Sequence, residues 1–534
     1  MSHAQRSRNN SSKQSGPDRS RHRALTRVGL ADRRTQLAGV AALLLAVPLL
    51  TPPAAATTAT VVRPTRVSGS SPLAGCTLDG VQRGQLFTNA EVEPYVAINP
   101  TDPNNLVATW QQDRYSNGGS QGIVTASSTD GGLTWRMNAR SRSSVCTGGT
   151  RAAGGNFQRA SDPRVTFSPD GTAHLMTLSF DQDNPNGTFG PNGMLSMRSV
   201  DGGQTWQHPV ALRTDDSPRV LNDKNSMTAD PHNPAFVYAV WDRIVVRPKP
   251  GIDDSVGPTW FARTVDGGRT WQPARKIFDP GLNSQTIGNQ IVVLPNNGGF
   301  NGELVDMFSL ILSGNPNTQV ALVRSANRGR TWDAVPVVVD DQHTVAVRDP
   351  DTGEAVRAGD VIPEVAVDPN SGALYVVWQD SRFGPRNSVA FSRSLDGGLT
   401  WSPTIKVNAT PRNLPRGDQQ AFTPMVAVSA DGTVAVSYFD FRNNTADPAS
   451  LPTDAFVVRC RPLTPATCTR SGDWTDEQRL TPTSFDLAKA PDAGGLFVGD
   501  YQGMAVDPGG QFLPLWSMPH AKDPANIFIE RVAR

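Results

Sequence analysis

Acidic residues and arginines recur in this chain at the ends of short, alternating apolar stretches, where they can transfer protons and bind anions. Glu93, Asp162, Asp223, Glu364, Thr423, Asp500 and Tyr501 stand at the approach to one set of stretches. Asp113 and Arg114, Asp242 and Arg243, Asp380 and Arg382, and Asp440 and Arg442 follow the next set. A carboxyl group tuned toward its working pH can give or take a proton. A guanidinium matches a carboxylate through two parallel hydrogen bonds. The same pairs can equally be ion pairs that join neighbouring elements, and only convergence in space separates the two uses.

The elements that must position these residues repeat. SSTDGGLTW ends at Trp135, RSVDGGQTW at Trp206, RTVDGGRTW at Trp271, RSANRGRTW at Trp332 and RSLDGGLTW at Trp401. Asn327 replaces the aspartate in the fourth copy. A second pattern interleaves with the first: an alternating strand, a Pro/Asp/Gly turn and a second apolar strand. It runs from Glu93 to Arg114, from Val361 to Arg382, from Phe422 to Arg442 and from Val498 to Met518, with looser versions near Asp162, Asn225 and Asn289. With a third strand before each box and a fourth carrying its Trp, the unit is a four-stranded propeller blade. The fold class is therefore all-β, a propeller of seven blades, or of six if the segment around Asn289 is an insertion.

The last repeat has room for only three strands, so a strand from the N-terminal segment, Val81 to Thr88, is expected to complete it and close the propeller. In each box a short carboxylate and a hydroxyl can bond the backbone N–H groups of a tight turn, while glycines supply positive φ. These aspartates are therefore expected to be structural.

The boxes resemble those of the sialidase (bacterial neuraminidase repeat) family, over roughly residues 90 to 530. The resemblance implies three arginines that clamp a substrate carboxylate, an aspartate acid/base, and a tyrosine nucleophile activated by a glutamate. Carried onto this chain, Tyr501 is the nucleophile, with Glu364 or Glu93 to activate it. Asp113 or Asp162 is the acid/base, Arg114, Arg243, Arg382 and Arg442 are the clamp candidates, and Asp500 lies beside them. The family's Arg-Ile-Pro motif is absent; Glu93-Pro94-Tyr95 stands near its place. The implied activity is hydrolysis of a terminal acidic sugar. The alternatives are a non-catalytic propeller that binds glycan or protein, and a two-carboxylate glycosidase using Glu93 and Glu364.

Composition narrows the partners. The net charge is +1, but the first 56 residues carry nine Arg or Lys against two Asp, leaving the body near −6. A mildly acidic body lacks the electrostatic footprint of a nucleic-acid binder. Residues 1–56 read as an export signal, with Arg33-Arg34, an apolar run from Leu37 to Leu50, and Ala54-Ala55-Ala56. Residues 57–78 read as linker and 79–534 as one propeller domain, a secreted monomer with no membrane span in the mature chain. Cys76, Cys146, Cys460 and Cys468 form an even set that favours disulfides. Cys460 and Cys468 are close enough to staple one hairpin, which leaves Cys76 with Cys146.

Other chemistry is poorly supported. GGSQG (Gly118 to Gly122) lies in a polar loop between strands rather than at a strand-to-helix turn. No zinc spacing links the histidines, and no cofactor is expected. The acidic loop Asp181 to Gly187 is a candidate for structural calcium, although its spacing misses the EF-hand pattern.

Overall fold

A computed structural model describes residues 63–534 except 250–251, 298 and 464–466. Among the described residues the chain runs as antiparallel meanders of four strands. The first comprises Leu86–Asn99, Asp102–Tyr115, Ser120–Ser128 and Arg136–Asn138. Its core-facing residues alternate because successive strand side chains point to opposite faces. An Asx turn makes its first corner, where Asn99 Oδ1 accepts from Thr101 N at 3.0 Å.

Five more meanders begin at Arg159–Phe167, Val220–Ala229, Ser284–Val293, Glu364–Val367 and Ala421–Val428. The segment around Asn289 is thus the first strand of a complete meander, paired in turn with Leu304–Ile311, Thr318–Ser325 and Val337–Gln342. A last hairpin set, Gly503–Val506, Phe512–His520 and Asp523–Ile529, follows. The first strands neighbour one another in chain order, and Gly503–Val506 contacts Leu86–Asn99 in turn.

The strand that completes the last set is Thr65–Arg66, not Val81 to Thr88. Thr65 pairs with Ile529 and Arg66 with Phe528, and Val67 N donates to Ile527 O at 2.8 Å. Leu86 and Phe87 instead pair with Tyr115 and Arg114 in the first meander. The reason is hydrophobic. Val67 and Leu73 bury themselves against Ile527 and Ile529, whereas Val81 is 86% exposed. Part of the stretch expected to be linker is therefore core.

The boxes are turn locks. Ser128 Oγ donates to Asp130 Oδ1 at 2.8 Å, Asp130 Oδ1 accepts from Thr134 N at 2.9 Å, and Gly132 N donates to Ser128 Oγ at 2.9 Å. The same bonds recur around Asp201, Asp266 and Asp396. Trp206 is buried and donates to Thr125 Oγ1 of the preceding meander at 3.0 Å, so a box also joins neighbours.

Both expected disulfides are present, Cys76–Cys146 and Cys460–Cys468. They close loops with sequence separations of 70 and 8 residues. By loop-closure entropy, Cys76→Ser with Cys146→Ser is expected to cost about 4 kcal/mol, against about 2.5 kcal/mol for the other pair. Urea unfolding of the two double variants checks this ranking, and equal midpoints would contradict it. Among the described residues no helix is long and apolar enough to cross a membrane.

Candidate functional site

A shared irregularity of the first strands builds the site. Five of them lose register at one place: between Val92 and Tyr95, Ser161 and Arg164, Asp223 and Ser226, Ile287 and Gln290, and Phe422 and Met425. The first unpaired residue in each has positive φ: Glu93 (54°), Asp162 (50°), Lys224 (44°), Gly288 (70°) and Thr423 (49°). Such bulges re-aim a side chain, and a non-glycine residue is strained there. These interruptions lie at the end of the meanders away from the boxes, because the first and third turns of a meander share the opposite end.

Three of the re-aimed side chains meet. Lys224 Nζ lies 3.1 Å from Asp162 Oδ1 and 3.7 Å from Glu93 Oε1, and donates to Asp500 Oδ2 at 2.8 Å. Asp500 N donates to Glu93 Oε1 at 3.3 Å. Arg357 grips Asp500 with two bonds, Nε to Oδ1 at 2.9 Å and Nη2 to Oδ2 at 2.5 Å. The guanidinium carbons of Arg357 and Arg114 lie 4.5 and 5.0 Å from the ring centre of Phe497. Arg114 is further held by Gln111 Oε1, which accepts from its Nη1 at 3.0 Å.

Arg164 lies against two tyrosines, 4.5 Å from the ring centre of Tyr95 and 4.3 Å from that of Tyr501. Its Nη2 lies 3.7 Å from Glu364 Oε1. Tyr95, Arg164 and Glu364 each stand between a proline and a valine at the same register position of their strands, and there the fifth meander's acid meets the second meander's base. The Tyr501 hydroxyl is buried and has no hydrogen-bond partner.

Crowding separates the protonation states. Burial raises Glu93, Lys224 pulls it back, and Asp162 and Asp500 raise it again, leaving it at about 7. Burial also works against the Asp500 anion, but Lys224 and Arg357 outweigh it and hold this carboxyl well below the usual range. Burial works against the Lys224 cation, but Asp162, Asp500 and Glu93 outweigh it and hold its pKa well above the usual range. Burial lowers Arg114 to about 10, with Arg357 adding to the effect. Burial drives the Tyr501 phenol well up, and the charges of Glu93 and Asp162 push it further. Two neighbouring carboxyls with pKa values driven apart form a pattern suited to acid–base work.

Several expected site residues lie elsewhere. Asp113 is turned to the N-terminal segment, accepting from Ser71 Oγ at 2.5 Å and Asn89 N at 2.8 Å. Arg243 pairs with Asp215 through bonds of 2.9 and 2.6 Å. Arg382 is held by Asp340 and Asp380, and Arg442 by Asp440 and Glu477. Of the four expected clamp arginines, only Arg114 joins the group. The other three pair off because a carboxylate of their own or the preceding meander lies within reach. Glu364 meets Tyr501 only through Arg164.

Asp223, beside Lys224, is raised by burial. Asp242 is fully buried, with both oxygens lacking hydrogen-bond partners, and burial drives it well up toward the neutral acid. Ser120 of the GGSQG stretch is buried and donates to Ala160 O at 2.9 Å. The Asp181–Gly187 loop closes on itself, with Gly187 N donating to Asn184 O at 2.9 Å. Among the described residues no group of three or more His, Cys, Asp and Glu is arranged to hold a metal.

Sequence reasoning missed Lys224, Arg164 and Arg357. The first two were legible by aligning Glu93-Pro94-Tyr95-Val96, Asp162-Pro163-Arg164-Val165 and Lys224-Asn225-Ser226-Met227, which puts Lys224, not Asp223, in register with Glu93. Arg357 belongs to a connection outside the repeat, where no spacing marks it.

Successive four-stranded meanders locked by boxes of this kind place the chain in the β-propeller class. Within that class, part of its sequence is similar to that of a sialidase. It is 28% identical over 268 residues to a sialidase of Micromonospora viridifaciens, a match covering 46% of this chain and 40% of that protein. The chain thus matches about two fifths of that relative's length. No protein-family model matches. Among solved structures it is similar to a Hadza microbial sialidase (19% identity, TM-score 0.39, covering 65% of this chain and 63% of the other). It is also similar to an α-L-arabinofuranosidase of Fusarium graminearum (14% identity, TM-score 0.41, covering 70% and 93%).

Proposed function

We propose that the protein is an exported, sialidase-like glycoside hydrolase, a closed seven-bladed propeller that takes a terminal acidic sugar at the mouth formed by its first strands. The observation that carries this reading is the meeting of Glu93, Asp162, Lys224, Asp500, Arg114 and Arg357, with the charges of Glu93, Asp162 and Asp500 acting on Tyr501. The neighbour relation of the first strands, which returns to its start, supports closure. Two disulfides fit an oxidising compartment. The leader of residues 1–56 lies outside the described residues.

In this reading Arg357, whose side chain is 34% exposed and stands outermost, exchanges Asp500 for the sugar carboxylate, and Arg114 completes the clamp. Tyr501 attacks the anomeric carbon while Glu93 takes its proton; Asp162, in its protonated form, gives its proton to the leaving oxygen as the glycosidic bond breaks. Water then cleaves the sugar–tyrosine bond, returning one proton to Tyr501 and one to Asp162 as Glu93 gives up its own. A tyrosine nucleophile keeps a carboxylate away from an anionic anomeric centre, unlike the two-carboxylate scheme.

The test is release of a fluorogenic leaving group from an α-sialoside. Arg357→Met is expected to raise KM about tenfold or more, with a smaller effect on kcat, because the lost contact binds ground state and transition state alike. No release above background would overturn the reading. One observation favours a second reading: Lys224 already satisfies all three carboxylates, as in a binding propeller that performs no chemistry. Sialoside binding without turnover is its signature.

A further inference from the structure

The fourth box departs from the other four in one direction, toward positive charge. Where they have Asp130, Asp201, Asp266 and Asp396 it has Asn327, and where they have Gly131, Gly202, Gly267 and Gly397 it has Arg328. The turn survives the change: Thr331 N donates to Asn327 Oδ1 at 2.8 Å, and Asn327 Nδ2 to Thr331 Oγ1 at 2.7 Å. The carboxylate charge is lost without the geometry. Arg328 sits at φ 57°, where the glycines it replaces have φ between 69° and 76°. An arginine is held in a backbone conformation that glycine would adopt without strain.

These residues line a cleft of about 430 Å³ at the box end of the third and fourth meanders. Arg263, Arg328 and Arg330 enter it, with Phe236, Gln272 and Asn301. Arg328 lies 5.2 Å from the ring centre of Phe236. Arg263 donates from Nε to Gln272 Oε1 at 2.8 Å and from Nη1 to the Arg328 carbonyl. None of the three arginines has a carboxylate within ion-pair distance among the described residues. The nearby acids are engaged elsewhere. Asp230 accepts from the Tyr238 hydroxyl at 3.2 Å, Asp266 is locked in its own box, and Glu303 pairs with Arg324. Burial, then the like charges of Arg330 and Arg275, lower Arg263, a crowding that a bound anion would relieve.

We propose that this cleft binds an acidic saccharide, its carboxylate or sulfate held by Arg263, Arg328 and Arg330 and its hydroxyls by the amides of Gln272 and Asn301. A cleft of this volume suits a ligand of one or two sugar rings, and guanidiniums recognise planar or tetrahedral oxyanions through paired donors. The site lies at the opposite end of the meanders from Lys224 and does not depend on hydrolysis.

Calorimetric titration of the full protein with a chondroitin sulfate hexasaccharide, with maltohexaose as the neutral control, tests it. Saturable binding of the acidic sugar alone is expected. Arg328→Gly with Arg330→Ala should weaken it tenfold or more, and Asn327→Asp should weaken it in the same direction. Arg328→Gly should keep or raise Tm, because glycine suits that backbone, which separates lost binding from lost folding. Turnover of an α-sialoside, whatever its level, should be unchanged in these variants. Wild-type affinity in the variants would overturn the proposal. So would equal competition by inorganic sulfate at matched ionic strength, which would mark an adventitious ion only.

Discussion

On the proposed hydrolytic reading, Tyr501→Phe is expected to lower kcat for an α-sialoside by about a thousandfold or more, since removal of a nucleophile leaves only binding and electrostatic stabilisation. Glu93→Gln is expected to cost about 10²- to 10⁴-fold, the range for a lost general base. The two differ in pH dependence. Glu93 titrates at about 7 and must be ionised to accept the Tyr501 proton, so kcat/KM of the native protein should rise as pH increases through that value. Glu93→Gln should abolish this limb, while Tyr501→Phe should leave only background at every pH. Burial pushes the Tyr501 phenol well up, so the attacking hydroxyl starts out protonated and needs a base. Retention of the limb in Glu93→Gln would remove Glu93 from the base role. Retention of activity in Tyr501→Phe would remove Tyr501 as nucleophile.

Lys224→Met is expected to destabilise the fold by about 3 to 5 kcal/mol at pH 8, the cost of stripping the partner from buried charges. In the native protein Lys224 Nζ faces three carboxylates that are almost inaccessible: Glu93, Asp162 and Asp500 are 1%, 2% and 6% exposed. Asp500, held low, contributes stability above its unfolded pKa that is lost as pH falls through its folded value. Glu93, held high, does the reverse: its ionisation is easier in the unfolded chain, so it erodes stability as pH rises from the unfolded value toward about 7. Without Lys224 both carboxyls shift upward. The deficit of the variant should therefore shrink between pH 8 and pH 5 as they take up protons, and Lys224→Met with Asp500→Asn should recover part of it. Urea unfolding at the two pH values measures this. A deficit below about 1 kcal/mol, or one independent of pH, would mean that the cluster is hydrated and loosely held.

Local spacing carried the repeat, the boxes and the disulfides into view. Ser128, Asp130 and Thr134 bond within seven residues of chain, so their geometry is written in adjacent positions. Cys460 and Cys468 likewise lie within one hairpin. The alternation that marks each strand also showed that Glu93, Asp162 and Asp500 approach the same end of their meanders. It could not show which of these charges meet.

That was decided by the tertiary arrangement, for two physical reasons. The two-residue interruption in five of the first strands re-aims a side chain in each, which placed Lys224 rather than its neighbour Asp223 among the carboxylates. A charge then takes the nearest partner that desolvation allows: Arg243, Arg382 and Arg442 found acids beside them, while Arg357, from an unrepeated connection, reached Asp500 across 143 residues of sequence. The strand that completes the last hairpin set was hidden in the same way. Thr65–Arg66 is two residues long, and its place is set by the burial of Val67 and Leu73 rather than by any pattern of its own.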